Sequence, residues 1–186
     1  GLYMADSHIS FTGTSTVGQV VTGLDHLEGR TVIVIGQEVG AGYGPTGTDY
    51  VVASGSITLA EAMSGTCCCG LPYEGIYQSA KLAFAGEGGT ALLAQKQVQE
   101  LGLALLDTHP DALRFGASFD DELDELPRID NQGVQVDSTA AFERSSEEGL
   151  FSFPGVWDTD SRVCIKVRPG YSATLSGLVT AIDTRG

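Results

Sequence analysis

The chain has 186 residues, of which 42% are hydrophobic and 18% are charged, so it can form one large domain or two small lobes with an apolar core. Its formal charge of −14 argues against sequence-specific nucleic acid binding and against an anionic membrane, because both need clustered Lys and Arg. No apolar run reaches the roughly 18 residues of a membrane span, so we expect no membrane insertion.

Short apolar runs bounded by glycine or polar residues predict β-strands in the first part of the chain. Residues 8–14 alternate between apolar and polar, and residues 30–36 (RTVIVIG) form a β-branched run typical of a strand buried on both faces. Residues 48–61 predict a strand, an SG turn and a second strand. Residues 65–71 (GTCCCGL) predict a short strand that Pro72 closes.

The middle of the chain allows two interpretations. Ala, Leu, Gln and Lys favour a helix from Thr90 to about Glu100. Alternation from Leu101 onward, followed by a polar turn at 107–112, favours strand–turn–strand, which we expect. Beyond it the sequence predicts an acidic connection at 120–130 and a short edge strand within 134–149. Three further strands are predicted at 150–155, 162–170 and 173–184. About ten strands separated by turns predict a β-sandwich or barrel.

Three adjacent cysteines suggest a metal or redox centre at first sight. On a strand, however, Cys67 and Cys69 share one face and Cys68 takes the other, so the three cannot surround one zinc ion. The other candidate ligands are not spaced as a zinc site: Cys164, His8, His26 and His109. We therefore expect the cysteines to pack as small apolar side chains, with no metal and no cofactor.

The segment GYGPTG contains Gly42, Gly44 and Gly47, which match the G-x-G-x-x-G pattern of dinucleotide-binding loops. A strand precedes the pattern, but the residues after it predict another strand where a nucleotide-binding helix is required. We therefore interpret the segment as a glycine loop at the tip of a lobe.

An acidic cluster is the next candidate site. Its members could bind calcium, but their register does not fit an EF-hand, and a solvated acidic loop is the favoured interpretation. The cluster comprises Asp120, Asp121, Glu122, Asp124 and Glu125.

No motif predicts an enzyme. The chain has no G-x-S-x-G and no P-loop, and the neighbouring His109 and Asp111 are explained by a turn in which the aspartate supports the backbone. Carboxylate pairs for glycoside hydrolysis cannot be identified from spacing. We claim no catalytic residue and expect no enzymatic activity.

Three phrases in order carry a resemblance to a known family: GLDHLEGRTVIVIG (23–36), ASGSITLAEA (53–62) and CCCGLPYEGIYQS (67–79). They resemble a passage of the nozzle, or stabilisation, proteins of short-tailed bacteriophages, also called tail tubular protein B. Residues 120–149 have no counterpart in that passage. The segment between the flanks also resembles the small β-barrel half-domain inserted in ubiquitin-activating enzymes, which concerns the fold alone.

The resemblance implies an all-β structural protein of the virion tail, assembled in the host cytoplasm. It implies a homo-oligomeric ring in contact with other tail proteins. On this basis we expect a small barrel-like lobe at 24–73 inserted into a β-sandwich lobe formed by 1–23 and 74–186. The acidic composition suggests a channel lining that repels passing DNA.

A carbohydrate- or receptor-binding module of a tail appendage is the alternative function. Such a module needs an exposed aromatic platform, and three residues are candidates for it: Trp157, Tyr43 and Tyr171.

Overall fold

The computed structural model describes residues 5–40, 43–82, 85–86, 89–90, 93–127, 142–144 and 150–185. More than half of these residues lie in β-strands that pair antiparallel, and the one helical element among them is a 3-10 turn at Asp25–Leu27, so the predicted all-β fold is confirmed. The described strands are β1 Ala5–Thr14, β2 Val20–Thr22, β3 Thr31–Glu38, β4 Tyr43–Pro45, β5 Tyr50–Val51, β6 Ser56–Thr58, β7 Met63–Pro72, β8 Gly75–Gln78, β9 Ala85–Gly86, β10 Gly89–Thr90, β11 Gln95–Thr108, β12 Leu113–Gly116, β13 Asp124–Glu125, β14 Phe142–Arg144, β15 Phe151–Ser152, β16 Cys164–Val167 and β17 Thr174–Arg185.

The chain divides into two compact units. The first contains the described residues up to Glu74 together with Arg168–Ser172, and the second contains most of the remainder. Strand β1 belongs to the first unit because it pairs along its length with β7, from Ala5 opposite Pro72 to Thr14 opposite Ser64. The expected division, with 1–23 joined to 74–186, differs from these two units at 1–23 and at Arg168–Ser172.

A five-stranded sheet organises the first unit. Its order is β1–β7–β3–β4, with β5 also paired to β3, and β2 and β6 form a separate two-stranded ladder. No pairing among the described strands closes this sheet into a barrel. Strand β3 places Val32 and Val34 in one apolar cluster and Ile33 and Ile35 in another, so its predicted burial on both faces is confirmed.

The second unit contains two four-stranded sheets, β14–β11–β15 with β17 on β11, and β13–β12–β16–β8. The sheets pack together through Phe115 of β12 and Phe151 of β15, whose ring centroids lie 4.9 Å apart. Two sheets in face-to-face contact are the arrangement of a β-sandwich.

The middle of the chain follows the strand–turn–strand prediction. Strand β11 is extended from Gln95 to Thr108, so the alternative helix is wrong for residues 95–100. The turn is closed by the amide of Ala112, which donates to the carbonyl oxygen of His109 at 3.0 Å. Propensity favours a helix here, but pairing with β17 lets the strand bury Val98, Leu101 and Leu103, and such tertiary packing overrides helix propensity. The edge strand predicted within 134–149 falls largely outside the described residues.

Candidate functional site

The cysteine triplet lies in β7, the strand between β1 and β3. Cys67 and Cys69 join one apolar cluster of the first unit, Cys68 joins the cluster on the opposite face, and all three are fully buried. The predicted alternation of the three side chains is therefore confirmed. Three sulfur atoms divided between two faces of a sheet cannot coordinate one ion.

Burial also governs the acidity of these thiols. It raises the pKa of Cys68 and of Cys69 to about 12, and it raises the pKa of Cys67 as well. Since the thiolate is the form that attacks electrophiles and binds metals, these residues are protonated and inert at neutral pH. The space around them is tight, because a methyl group on Gly36 would lie 2.5 Å from the Cys67 sulfur.

The LDHLEG segment anchors the SG hairpin predicted from the sequence. The Glu28 carboxylate accepts hydrogen bonds from the amides of Ser54 at 2.9 Å and Gly55 at 2.8 Å, which lowers the pKa of Glu28. Ser54 and Gly55 both have positive φ, as a type I′ hairpin turn requires. Gly55 has a φ of 64°, where residues other than glycine are strained, and a Cβ there would also displace the Asp25 carboxylate.

The glycine pattern forms a strand and not a loop at residues 43–45. Tyr43–Pro45 is β4, paired with β3 so that Gly44 lies opposite Gly36. A strand, β5, follows it where a nucleotide-binding loop would lead into a helix. Gly42 lies outside the described residues, and the loop interpretation is wrong for residues 43–45, whereas Thr46 and Gly47 lie outside any strand. Gly and Pro suggest a loop, but pairing with β3 decides the conformation.

The acidic cluster is exposed, as expected for a solvated loop. Its last two members form β13, and Glu125 makes a 3.0 Å ion pair with Arg114 of the neighbouring strand β12. Within the described ranges, no group of three or more His, Cys, Asp or Glu residues is arranged to hold a metal ion.

His109 and Asp111 form a turn, as predicted. The amide of Asp111 donates to Nδ1 of His109 at 3.2 Å, so the histidine side chain supports the backbone here. The sequence predicts that the aspartate side chain, and not the histidine side chain, supports the backbone. His109 is nearly fully buried in the second unit.

A cleft of about 190 Å³ lies in the second unit. It joins apolar residues to polar ones, among them Val98, Phe153, Val156, Asp158, Asp160 and Arg162. Such a mixed lining suits a small polar ligand.

The carboxylates of Asp158 and Asp160 in the cleft bind other groups of the same segment. Asp160 makes a two-point contact with the Arg162 guanidinium, at 3.0 and 3.2 Å. The Asp158 carboxylate accepts a hydrogen bond from the Asp160 amide at 3.1 Å, and this bond lowers the pKa of Asp158. A general acid needs a raised pKa, so Asp158 is unsuited to that role.

Lys96 is a buried cation beside the cleft, and it was not among the candidate residues predicted from the sequence. It is fully buried, and its Nζ donates to the carbonyl oxygens of Ala94 and Thr159 at 3.1 Å each. The backbones of Lys96 and Asp158 also pair, and the Ser161 hydroxyl donates to the Lys96 carbonyl oxygen at 2.7 Å. Lys96 therefore attaches the 158–161 segment to the start of β11. The sequence held one indication of this burial: Lys96 lies two residues before the buried Val98, and residues two apart on a strand point to the same face.

Two of the three aromatic candidates, Tyr43 and Tyr171, belong to the first unit, and the third, Trp157, belongs to the second. Tyr43 packs in the first unit against the cluster that contains Cys68, and a Cβ added to Gly44 would lie 3.4 Å from the ring of Tyr171. Trp157 belongs to the second unit, is half-buried, and has the Arg185 guanidinium 4.3 Å from its ring centroid. Trp157 is the candidate nearest to the cleft, since its neighbours in sequence line it.

No helix in the described part of the chain combines the length and the apolar character that a membrane span requires. Comparison with known proteins identifies no matching family model, and no curated protein matches the chain significantly.

Proposed function

We propose that this chain is a structural component of a phage tail, of the nozzle or tube type. It acts by subunit assembly, as a homo-oligomeric ring, and by contact with other tail proteins. It works in the virion tail after assembly in the host cytoplasm, and it carries out no catalysis. The proposal originates in the three phrases that resemble tail nozzle proteins.

The observation that supports the proposal best is that these phrases fold against one another. One apolar cluster of the first unit contains residues from all three phrases, including Leu24, Leu27, Ile57, Leu59 and Cys69. The hydrogen bonds from the 54–55 turn to the Glu28 carboxylate add a polar contact between the first two phrases.

Location in the particle tests the proposal directly. Gold-labelled antibodies against the purified chain are applied to intact phage particles and to the host lysate before assembly. We expect label at the tail of the particle. Label confined to soluble host fractions, with none on the particle, would refute a structural role in the tail.

The charge of the chain suggests how the ring interacts with DNA. With a formal charge of −14, an acidic channel lining would repel the phosphate backbone and let DNA slide without adhering. A ring reconstruction with Lys and Arg along the channel and the acids outside would contradict this mechanism.

The cleft and Trp157 favour a second candidate, a carbohydrate- or receptor-binding module of a tail appendage. Aromatic rings beside a polar cleft suit sugars, which present both apolar and hydroxyl-bearing surfaces. A glycan array tests this candidate, with Trp157→Ala as the comparison. Binding that the substitution abolishes would support the candidate, and an array without hits removes it.

A further inference from the structure

The cleft of the second unit has walls that hydrogen bonds hold in place. Three segments line it: β11, residues 117–121 and residues 153–162. The Gln97 side-chain amide donates to the carbonyl oxygen of Gly155 at 2.7 Å, and the backbones of Lys96 and Asp158 donate to each other at 2.8 and 2.9 Å. The backbones approach closely, since a Cβ on Gly155 would lie 2.1 Å from the carbonyl oxygen of Val98. A cleft with fixed walls pays little ordering entropy when a ligand binds.

The lining divides into an apolar part and a charged part. Val98 and Phe153 are nearly fully buried, and the exposed Val156 continues their apolar surface. The charged part is exposed and carries three carboxylates, those of Asp121, Asp158 and Asp160. A ligand that fits both parts needs an apolar stem and a charged head.

Two of the three carboxylates can accept further hydrogen bonds. Asp121 makes no hydrogen bond or ion pair with the residues that the structure describes. Asp158 uses its Oδ1 atom to accept from the Asp160 amide at 3.1 Å and from the Thr159 hydroxyl at 3.4 Å, and its Oδ2 atom has no partner in the described chain. The head of the ligand therefore has to be a donor of hydrogen bonds.

The cations near the cleft do not balance its carboxylates. Arg162 is held in the two-point contact with Asp160, and the Lys96 Nζ donates to two backbone carbonyl oxygens. The hydrogen bond from the Asp160 amide is the main cause of the lowered pKa of Asp158, and the charge of Lys81 contributes least to it. The lining holds three carboxylates and one guanidinium, and this excess of negative charge favours a cationic ligand.

We propose that the cleft binds an arginine side chain of a partner protein. The aliphatic stem lies along Val98, Phe153 and Val156, and the guanidinium donates to the carboxylates of Asp121 and Asp158. Arginine buries its stem on apolar surface while its head stays in water, and its planar fork of donors matches carboxylate oxygens. At about 190 Å³ the cleft is smaller than the roughly 300–1,000 Å³ of pockets for drug-sized ligands, so its size suits a single side chain.

A sugar, the ligand of the second candidate function, would satisfy this cleft less completely. A neutral molecule leaves the charges of Asp121 and Asp158 without a counter-charge, whereas a guanidinium supplies one. The inference goes beyond the proposed tail function and does not depend on it, because it concerns only what the cleft recognises.

Titration of the isotope-labelled full chain with short peptides, followed by proton–nitrogen correlation spectra, tests the proposal. A capped Gly-Arg-Gly peptide should shift the amide signals of Asp121, Gly155 and Val156, with a Kd of about 1 mM, because a single side chain makes few contacts. The same peptide with citrulline, the neutral isostere of arginine, should bind about tenfold more weakly or less. Raising the salt concentration from about 50 mM to about 500 mM should weaken binding of the arginine peptide.

A pair of matched variants separates the cleft from the overall charge of the chain. Asp121→Asn should weaken binding of the arginine peptide by about threefold or more. The fold should be unaffected, as judged by the remaining signals, since this exposed carboxylate has no partner in the described structure. Asp120→Asn is the control, because it removes the same charge from an exposed neighbour that does not line the cleft. It should leave the Kd within about 1.5-fold at physiological ionic strength.

Four results would overturn the proposal. The first is the absence of any shift at the cleft with about 10 mM arginine peptide, which exceeds the expected Kd severalfold. Equal binding of the arginine and citrulline peptides, or equal weakening by the two variants, would show that no specific contact forms between the guanidinium and the cleft. Shifts at the cleft with maltotriose, and none with the arginine peptide, would assign the cleft to a sugar instead. None of these results bears on the location of the chain in a virion.

Discussion

Protection of the cysteine triplet against alkylation follows from the structure and can be given a magnitude. At pH 8 an exposed cysteine with a pKa of about 8.5 is roughly a quarter thiolate. A thiol with a pKa of about 12, as for Cys68 and Cys69, is thiolate about once in ten thousand molecules. Acidity alone therefore slows alkylation by about 2,000-fold, and burial adds to this protection.

Labelling with iodoacetamide, followed by mass spectrometry, measures this protection. We expect no label on the four native cysteines of the folded chain within the time that labels glutathione completely, and four labels in guanidinium chloride. Thr66→Cys is the positive control, because Thr66 is exposed and adjoins the triplet on β7. Its added thiol should react at an ordinary rate. Reaction of Cys67, Cys68 or Cys69 in the folded chain at nearly the glutathione rate would refute the reasoning.

Three further predictions concern the first unit. Leu24→Ala should lower the free energy of unfolding by about 3 kcal/mol in urea titrations, because the side chain is fully buried, whereas Val20→Ala, at an exposed site, should change it by less than about 0.5 kcal/mol. Gly36→Ala should lower the free energy of unfolding by about 1–3 kcal/mol, since its methyl group meets the Cys67 sulfur. Adding Cys67→Ala should recover part of this free energy, and strict additivity of the two changes would contradict the contact. Glu28→Gln should lower the urea midpoint at pH 7, because the charged carboxylate accepts hydrogen bonds from the hairpin amides. Since the pKa of Glu28 is lowered in the folded chain, this stabilisation is lost as the pH falls through the carboxyl range. An equal decrease of the urea midpoint at pH 7 and at pH 3 would contradict this explanation.

Local patterns in the sequence were sufficient to predict the strands that are buried. The β-branched run of β3 and the alternation of Cys67–Cys69 on β7 each encode which side chains share a face, and both predictions are confirmed. Leu24 and Leu27 lie in the same apolar cluster as Val32 and Val34 of β3.

Long-range pairing was not predictable in the same way. Nothing in the polar sequence of β1 specifies that it pairs with β7, whose paired residues come 50 to 67 positions later in the chain, from Thr14 opposite Ser64 to Ala5 opposite Pro72, and this pairing decides to which unit β1 belongs. Strand β4 was missed because Gly44 and Pro45 suggest a loop when the partner strand is unknown. Burial of Lys96 depends on two carbonyl oxygens, one of them from Thr159, that come together only in the folded chain.

A reconstruction of the tail by electron cryomicroscopy, at a resolution that traces side chains, tests the central claim most directly. We expect density for several copies of this all-β chain arranged as a ring, with the cysteine triplet enclosed in each copy. A tail in which every density feature is assigned to other proteins, with this chain absent from the particle, would contradict the account.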